Sequence, residues 1–202
     1  SSEGVEKANA LIAACEGDKA CEAAGRLWLA RFLLHRTRKT DDAYSEAKKA
    51  TELAPQDDKL AGEALLTMFE AAWTKGEIEK ALDPATRFLD PKYIGQRTEW
   101  DQPGYLKRPG ECLLRLQRFD EAAAHFLKIE KATTSRPSAR PGRPEPAEGR
   151  KFAQECCFLA GRAAFEGGKH DEALKALERV FTDYPELPDL WHAAQSAIVD
   201  AF

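Results

Sequence analysis

Along most of the chain, apolar residues recur every three or four positions with charged residues between them, the spacing that lines one side of an α-helix. No stretch of useful length alternates apolar and polar residues. β-Branched residues are scarce, and alanine, leucine, glutamate and lysine dominate. The pattern predicts helices over residues 4–15, 19–37, 41–53, 58–75, 78–90, a shorter one around 109–117, then 119–132, 150–167, 170–182 and 188–201. Their ends carry ordinary signals. Asp41-Asp42 is placed to cap one start, Asp120 and Asp171 fall in first turns, one helix ends at Lys75-Gly76, and Gly167-Gly168 supplies a stop that tolerates left-handed backbone.

Two stretches break the rhythm. Residues 89–110, LDPKYIGQRTEWDQPGYLKRPG, are too rich in proline and glycine for one regular helix. Pro103 suits a first helical turn, and Pro109 either starts or kinks the helix that follows. Residues 133–150, TTSRPSARPGRPEPAEGR, carry no apolar face and read as an exposed, partly extended insertion. Helical hairpins of one type flank both stretches, so the chain is expected to form a single domain, residues 1–202.

The hairpins repeat. RLQRFDEAAAHFLKIEKA, residues 115–132, is echoed by FEGGKHDEALKALERVF, residues 165–181. Aligning the elbows places Ala43, Ala81, Ala122 and Ala173 at one position, early in a second helix, where a small side chain admits the preceding helix. Twelve residues earlier stand Arg31, Phe69, Gly110 and Gly161. Four residues later come Ala47, Ala85, Phe126 and Leu177, followed on the same face by Ala50, Phe88, Ile129 and Val180. Pro55 and Pro185 close two of the second helices. A face that one hairpin cannot bury must be covered by its neighbour, so such units stack.

This pattern resembles the tetratricopeptide repeat. The match is good in residues 154–187, through Gly161, Ala173, Leu177, Val180 and Pro185, and in 103–136, through Gly110, Leu113, Phe119, Ala122, Phe126 and Ile129. It is moderate in 24–57, where Arg31 stands in place of the small glycine. It is weak in 62–95, where Phe69 replaces that glycine and Pro84 interrupts the second helix. Residues 4–15 add an N-terminal helix, and Trp191 opens a capping helix over 188–201. The resemblance implies an all-α protein, a right-handed α-solenoid of stacked antiparallel helical hairpins. Its first helices would line a concave groove that binds a protein or peptide partner.

The residues that the resemblance places on that groove are Trp28, Phe32, His35 and Arg36, then Leu66, Glu70 and Trp73. Lys107, Glu111, Leu114 and Arg115 follow, then Phe158, Arg162, Phe165 and Glu166, with His192 at the end. Aromatic residues with a few charges would suit a helix or an extended peptide. Core packing is the competing role for Trp28, Trp73 and Phe165, whereas Trp100 is the tryptophan best placed for an interface. One subclass of the family holds carboxy-terminal peptides with a lysine and asparagine clamp. Lys107 occupies the lysine position, but Glu111 stands where asparagine is expected and the sole asparagine of the chain is Asn9, so that clamp is absent.

Composition narrows the function further. A net charge of -4, from 30 basic and 34 acidic residues, argues against a dedicated nucleic-acid binder. Arg136, Arg140, Arg143, Arg150 and Lys151 make the insertion locally basic, but it has no aromatic interleaving for stacking on bases and is expected to be a solvated loop. No apolar run is long enough to span a membrane, and no uncleaved secretory signal opens the chain. Its abrupt start and its ending, IVDAF, suggest a fragment of a longer protein.

Chemistry is not expected. His35, His125, His170 and His192 lie on different units without metal-ligand spacing, and no phosphate-binding glycine loop occurs. Neither a metal nor a cofactor is therefore anticipated. Cys112, Cys156 and Cys157 sit among apolar helical residues as buried side chains. Cys15 and Cys21 bracket a turn, where two free thiols are the default and a disulfide would point to an oxidising, cell-envelope compartment. Two functions follow: a non-catalytic scaffold or adaptor binding a partner protein or peptide, or a cell-envelope accessory domain whose aromatic residues bind a glycan or other non-protein ligand. Oligomeric state is left open by the sequence.

Overall fold

The computed structural model describes residues 2–15, 17–94, 102–134 and 147–200, and among them there is no strand. The chain folds as two compact units, residues 1–108 and 109–202. In the first, α1 (Ser2–Ala14) packs on α2 (Lys19–Phe32), which runs into a π-helical turn (Leu33–Thr37). α3 (Thr40–Leu53) lies between α2 and α4 (Asp58–Lys75), and α4 also carries α5 (Ile78–Phe88) and the short α6 (Pro91–Ile94). α7 (Gln102–Arg115) begins in this unit. In the second, α9 (Ala147–Glu166) packs against both α8 (Phe119–Thr134) and α10 (His170–Thr182). A 3-10 turn (Pro188–Leu190) then leads into α11 (Trp191–Asp200) on α10.

The pairs α2/α3, α4/α5, α7/α8 and α9/α10 share one elbow. A residue with left-handed backbone stands five positions before each register alanine: Arg38 (φ 56°), Gly76 (φ 83°), Gln117 (φ 58°) and Gly168 (φ 76°). Glycine adopts this conformation freely, and non-glycine residues adopt it at a cost that the surrounding hydrogen bonds offset. The next residue turns its N–H back onto the first helix, Glu77 to the Ala72 carbonyl (2.9 Å), Arg118 to Leu113 (2.9 Å) and Lys169 to Ala164 (2.9 Å). Each spans five residues, which closes a Schellman motif. The second helix then starts alike everywhere, with the N–H of Ala43, Ala81, Ala122 and Ala173 donated to the carbonyls of Lys39, Glu77, Arg118 and Lys169.

Burial follows the register. Ala43, Ala81, Ala122 and Ala173 are wholly inaccessible, and the residues four and seven positions later are buried in all four hairpins. Where two helices cross, one small residue sets the approach. A Cβ on Gly110 would lie 2.5 Å from Cζ of Phe126, and one on Gly161 would lie 2.8 Å from Cγ of Leu177. In α4/α5 the sizes at the corresponding positions are exchanged, with Phe69 on the first helix and Ala85 on the second, both buried.

Several expectations need correction. α5 runs unbroken through Pro84, and α7 begins at Gln102 and contains Pro109 instead of starting there. Each proline removes one helical N–H, but both rings are fully buried, so apolar burial offsets the missing bond. Asp41 and Asp42 lie in the first turn of α3, whose cap position is Lys39. α8 extends to Thr134 and α9 starts at Ala147, which shortens the insertion; Arg136, Arg140 and Arg143 lie outside the described residues. Arg150 is not a free cation of that insertion: it pairs with Glu186 (2.5 Å) and donates to the Asp183 carbonyl (2.9 Å), while Lys151 pairs with Asp189 (2.6 Å).

The default of free thiols at the first turn is also overturned. Cys15 and Cys21 are disulfide-bonded, with Cα atoms 5.5 Å apart. The Asp18 carboxylate accepts the N–H groups of Ala20 and Cys21, both at 3.0 Å, and this cap holds Cys21 at the helix start. Cys112, Cys156 and Cys157 are buried and not disulfide-bonded, as their apolar neighbours predict.

A polar cluster lies inside the second unit. Glu130, only 3% exposed, accepts hydrogen bonds from Arg179 (2.5 Å) and Tyr184 (2.9 Å), tying α8 to α10 and the turn beyond it. Burial and the Glu130 charge push the Cys157 thiol up to about 12. Buried Gln154 donates to the Leu187 carbonyl at 2.6 Å, fixing the chain that leads to α11.

The crossing geometry makes a paired prediction. Gly110→Ala is expected to lower the unfolding free energy by about 1–3 kcal/mol, because its methyl would overlap the Phe126 ring. Gly104→Ala, in the same helix but facing open space, should instead raise it by roughly 0.5 kcal/mol. Urea denaturation of the two variants measures both.

Candidate binding surface on the first hairpin

The first elbow departs from the other three by one residue. Its returning N–H, from Lys39, reaches the Leu33 carbonyl at 3.0 Å and so spans six residues, not five. The same carbonyl accepts the N–H of Arg38 and, at 2.8 Å, the Thr37 hydroxyl. The extra residue is what the π-turn accommodates, and such turns often lie at functional sites.

The insertion moves the register of everything before it. In the regular hairpins the small crossing residue lies three positions before the accepting carbonyl, as Gly110 does before Leu113 and Gly161 before Ala164. The same count from Leu33 gives Ala30. Ala30 is wholly buried, in one apolar cluster with Leu27, Ala47 and Ala50. Arg31, which the sequence alignment placed at that crossing, is therefore turned outward. It is exposed and pairs with Glu63 of α4. The signal for this was present in the sequence, since Ala30 precedes Arg31 and is the right size for a crossing, but counting back from Ala43 without the π-turn selects the wrong neighbour.

Outward rotation of Arg31 completes a stripe. Trp28, Arg31, Phe32, His35 and Arg36 line an open hollow of about 700 Å³. Their spacing is that of one helical face. Trp28 is 50% exposed although its neighbours Leu27 and Leu29 are buried, so it is not the core residue it could have been. Its ring stacks on Phe32 with centroids 5.5 Å apart and planes 17° from parallel. Phe32 is backed by α1, where a Cβ on Gly4 would meet the ring at 2.4 Å. The Cys15–Cys21 bond links the end of α1 to the start of α2.

The other expected groove residues have different surroundings. Leu66 is buried with Leu65 and Phe88, and Tyr93, Ile94 and Tyr105 pack around them, because α4 is covered on nearly every side by α3, α5 and α6. Glu70 is half-buried and lies 3.9 Å from Arg108, whose guanidinium sits over the Phe69 and Tyr105 rings at 4.5 and 4.6 Å. Trp73 is half-buried and stacked on Phe69. Lys107, Glu111 and Leu114 are half-buried, and Arg115 is exposed.

In the second unit Phe158 packs beside Leu177, Val180, Tyr184 and Trp191, so it belongs largely to the core. Arg162 and Glu166 are exposed and pair with each other at 3.2 Å. Phe165 is half-buried beside the His170 ring, and His192 is exposed. Trp100 lies outside the described residues. Of the expected groove residues, the structure thus gathers Trp28, Phe32, His35 and Arg36 and adds Arg31 to them.

With the elbow and crossing geometry of α9/α10 established, residues 158–186 also match the family model described as tetratricopeptide repeat. The fourth hairpin is thus similar to a tetratricopeptide repeat. The repeat reading of the sequence and its all-α class both hold, with helices packed in neighbouring pairs. No curated protein matches the chain. Repeats of this family generally mediate protein–protein interaction. No helix among the described residues is long and apolar enough to cross a membrane.

The π-turn account predicts a specific coupling. Deleting Thr37 should restore the regular elbow, drive Arg31 toward the crossing position and lower stability by at least about 2 kcal/mol. Arg31→Gly should recover much of that loss in the deletion variant, yet recover nothing in the intact chain. A double-mutant cycle from urea unfolding measures the coupling, which should exceed about 1 kcal/mol.

Proposed function

We propose that the chain is a non-catalytic binding module that holds a partner protein or peptide against the open face of α2 and its π-turn. The observation that carries this reading is the Trp28–Phe32 stack, left accessible beside a hollow of about 700 Å³ while Ala23, Leu27, Leu29 and Ala30 of the same helix are buried. A stacked aromatic pair offers a large contact area with little conformational freedom to lose, and residues of this type dominate binding energy at interfaces. The general role of the repeat supports a protein partner.

The bonded Cys15–Cys21 pair favours a second reading, an accessory domain of the cell envelope that binds a glycan, since disulfides persist in oxidising compartments and aromatic faces stack on sugars. The two readings separate in one comparison. Affinity capture from native extract with wild-type chain and with the Trp28→Ala/Phe32→Ala variant should show a protein partner reduced at least tenfold by the substitutions. Unchanged capture would exclude this face as the binding surface. Retention of a glycan array ligand by the wild type, lost in the variant, would favour the envelope reading.

A further inference from the structure

We propose that the segment received by the α2 face is an acidic peptide with a large apolar anchor residue. This rests on the reading of that face as the partner-binding surface and adds the chemistry of the partner. Between residues 31 and 39 the chain carries Arg31, Arg36, Arg38 and Lys39, and no acidic residue, although the whole chain has a net charge of -4. Arg31 is neutralised by Glu63. Arg36, Arg38 and Lys39 are exposed and make no ion pair among the described residues. The acids nearest along the chain are partly engaged elsewhere, with Asp41 bound to Lys75 at 2.6 Å.

The π-turn brings these features together. It keeps Arg31 out of the core, and its end sets Arg38 in the left-handed conformation, so that Arg36, Arg38 and Lys39 follow the aromatic stack directly. The result is an aromatic platform at Trp28 and Phe32 with Arg36 in the same hollow and Arg38 and Lys39 next along the chain. An apolar side chain can displace water from the rings while carboxylates a few residues away meet guanidinium groups, which recognise them through paired hydrogen bonds. The patch is too short for a nucleic-acid track, which needs a cationic groove and successive stacking platforms. It offers one stack and one cluster, the length of a short peptide motif.

The test is selection of a random twelve-residue peptide library on the intact chain, followed by affinity measurement on synthetic winners. The expected winners carry one aromatic or large aliphatic residue and at least two Asp or Glu. Their binding should weaken at least tenfold in Trp28→Ala and at least fivefold between 50 and 500 mM salt. Arg36→Glu/Arg38→Glu should abolish binding of acidic winners and admit their Lys-substituted counterparts. Arg38→Glu/Lys39→Glu serves if the first pair loses its helical circular dichroism.

Winners that need Trp28 but are neutral or basic would overturn the acidic assignment and leave the binding face standing. Failure to select any Trp28-dependent peptide would overturn both. Trp28-dependent binding of a twenty-residue oligothymidylate at 150 mM salt, tighter than that of any peptide, would replace the peptide with a nucleic acid and overturn the proposal.

Discussion

How closely two helices of a hairpin can approach is decided by one side chain at their crossing, and most of this structure follows from that limit. Gly110 and Gly161 leave no room for a Cβ against Phe126 and Leu177, and Ala122 and Ala173 on the second helices are wholly inaccessible. Because the interior is packed to near crystalline density, a larger residue at the crossing must displace a neighbour or turn away. The first hairpin turns it away. One residue added in the π-turn puts Ala30 at the crossing, and Arg31 is sent to the surface with Trp28 and Phe32. Architecture and candidate binding surface thus have a common origin.

The elbow is what makes the crossing reproducible. A left-handed residue followed by a returning N–H fixes where the first helix ends, and the register alanine fixes where the second begins. Two elbows use glycine, and two use Arg38 and Gln117, which accept the strained backbone because the closing bonds stabilise it. The Arg38 elbow is also the one widened by the π-turn, so the irregular elbow follows the helix that carries the half-exposed Trp28. Other bonds lock other joints: Glu130 holds Arg179 and Tyr184 by hydrogen bonds in the second unit, and the Cys15–Cys21 disulfide fastens α1 to α2 in the first.

Helix positions and the repeat register were legible in the sequence because small and large apolar residues recur at fixed distances from Asp-Glu-Ala elbows. Prolines misled, since Pro84 and Pro109 look like breaks until their rings are seen to be buried. The candidate surface was legible only in part. Trp28, Phe32, His35 and Arg36 carry the helical spacing of a face, but a π-turn leaves no mark in hydrophobic periodicity, so the repeat alignment puts Arg31 in the position of the small glycine. The resemblance places Leu66 on the groove because spacing reports which residues share a face and not how many neighbours cover it. α4 is covered nearly all round.

The central claim, that a one-residue π-turn sets the register of the first hairpin, can be read directly from hydrogen-bond couplings between amide nitrogens and carbonyl carbons in a labelled sample. The account predicts a correlation from Lys39 to Leu33, beside correlations from Glu77 to Ala72, Arg118 to Leu113 and Lys169 to Ala164. A correlation from Lys39 to Leu34 in place of Leu33 would contradict it. That bond would restore the regular elbow and return Arg31 to the crossing.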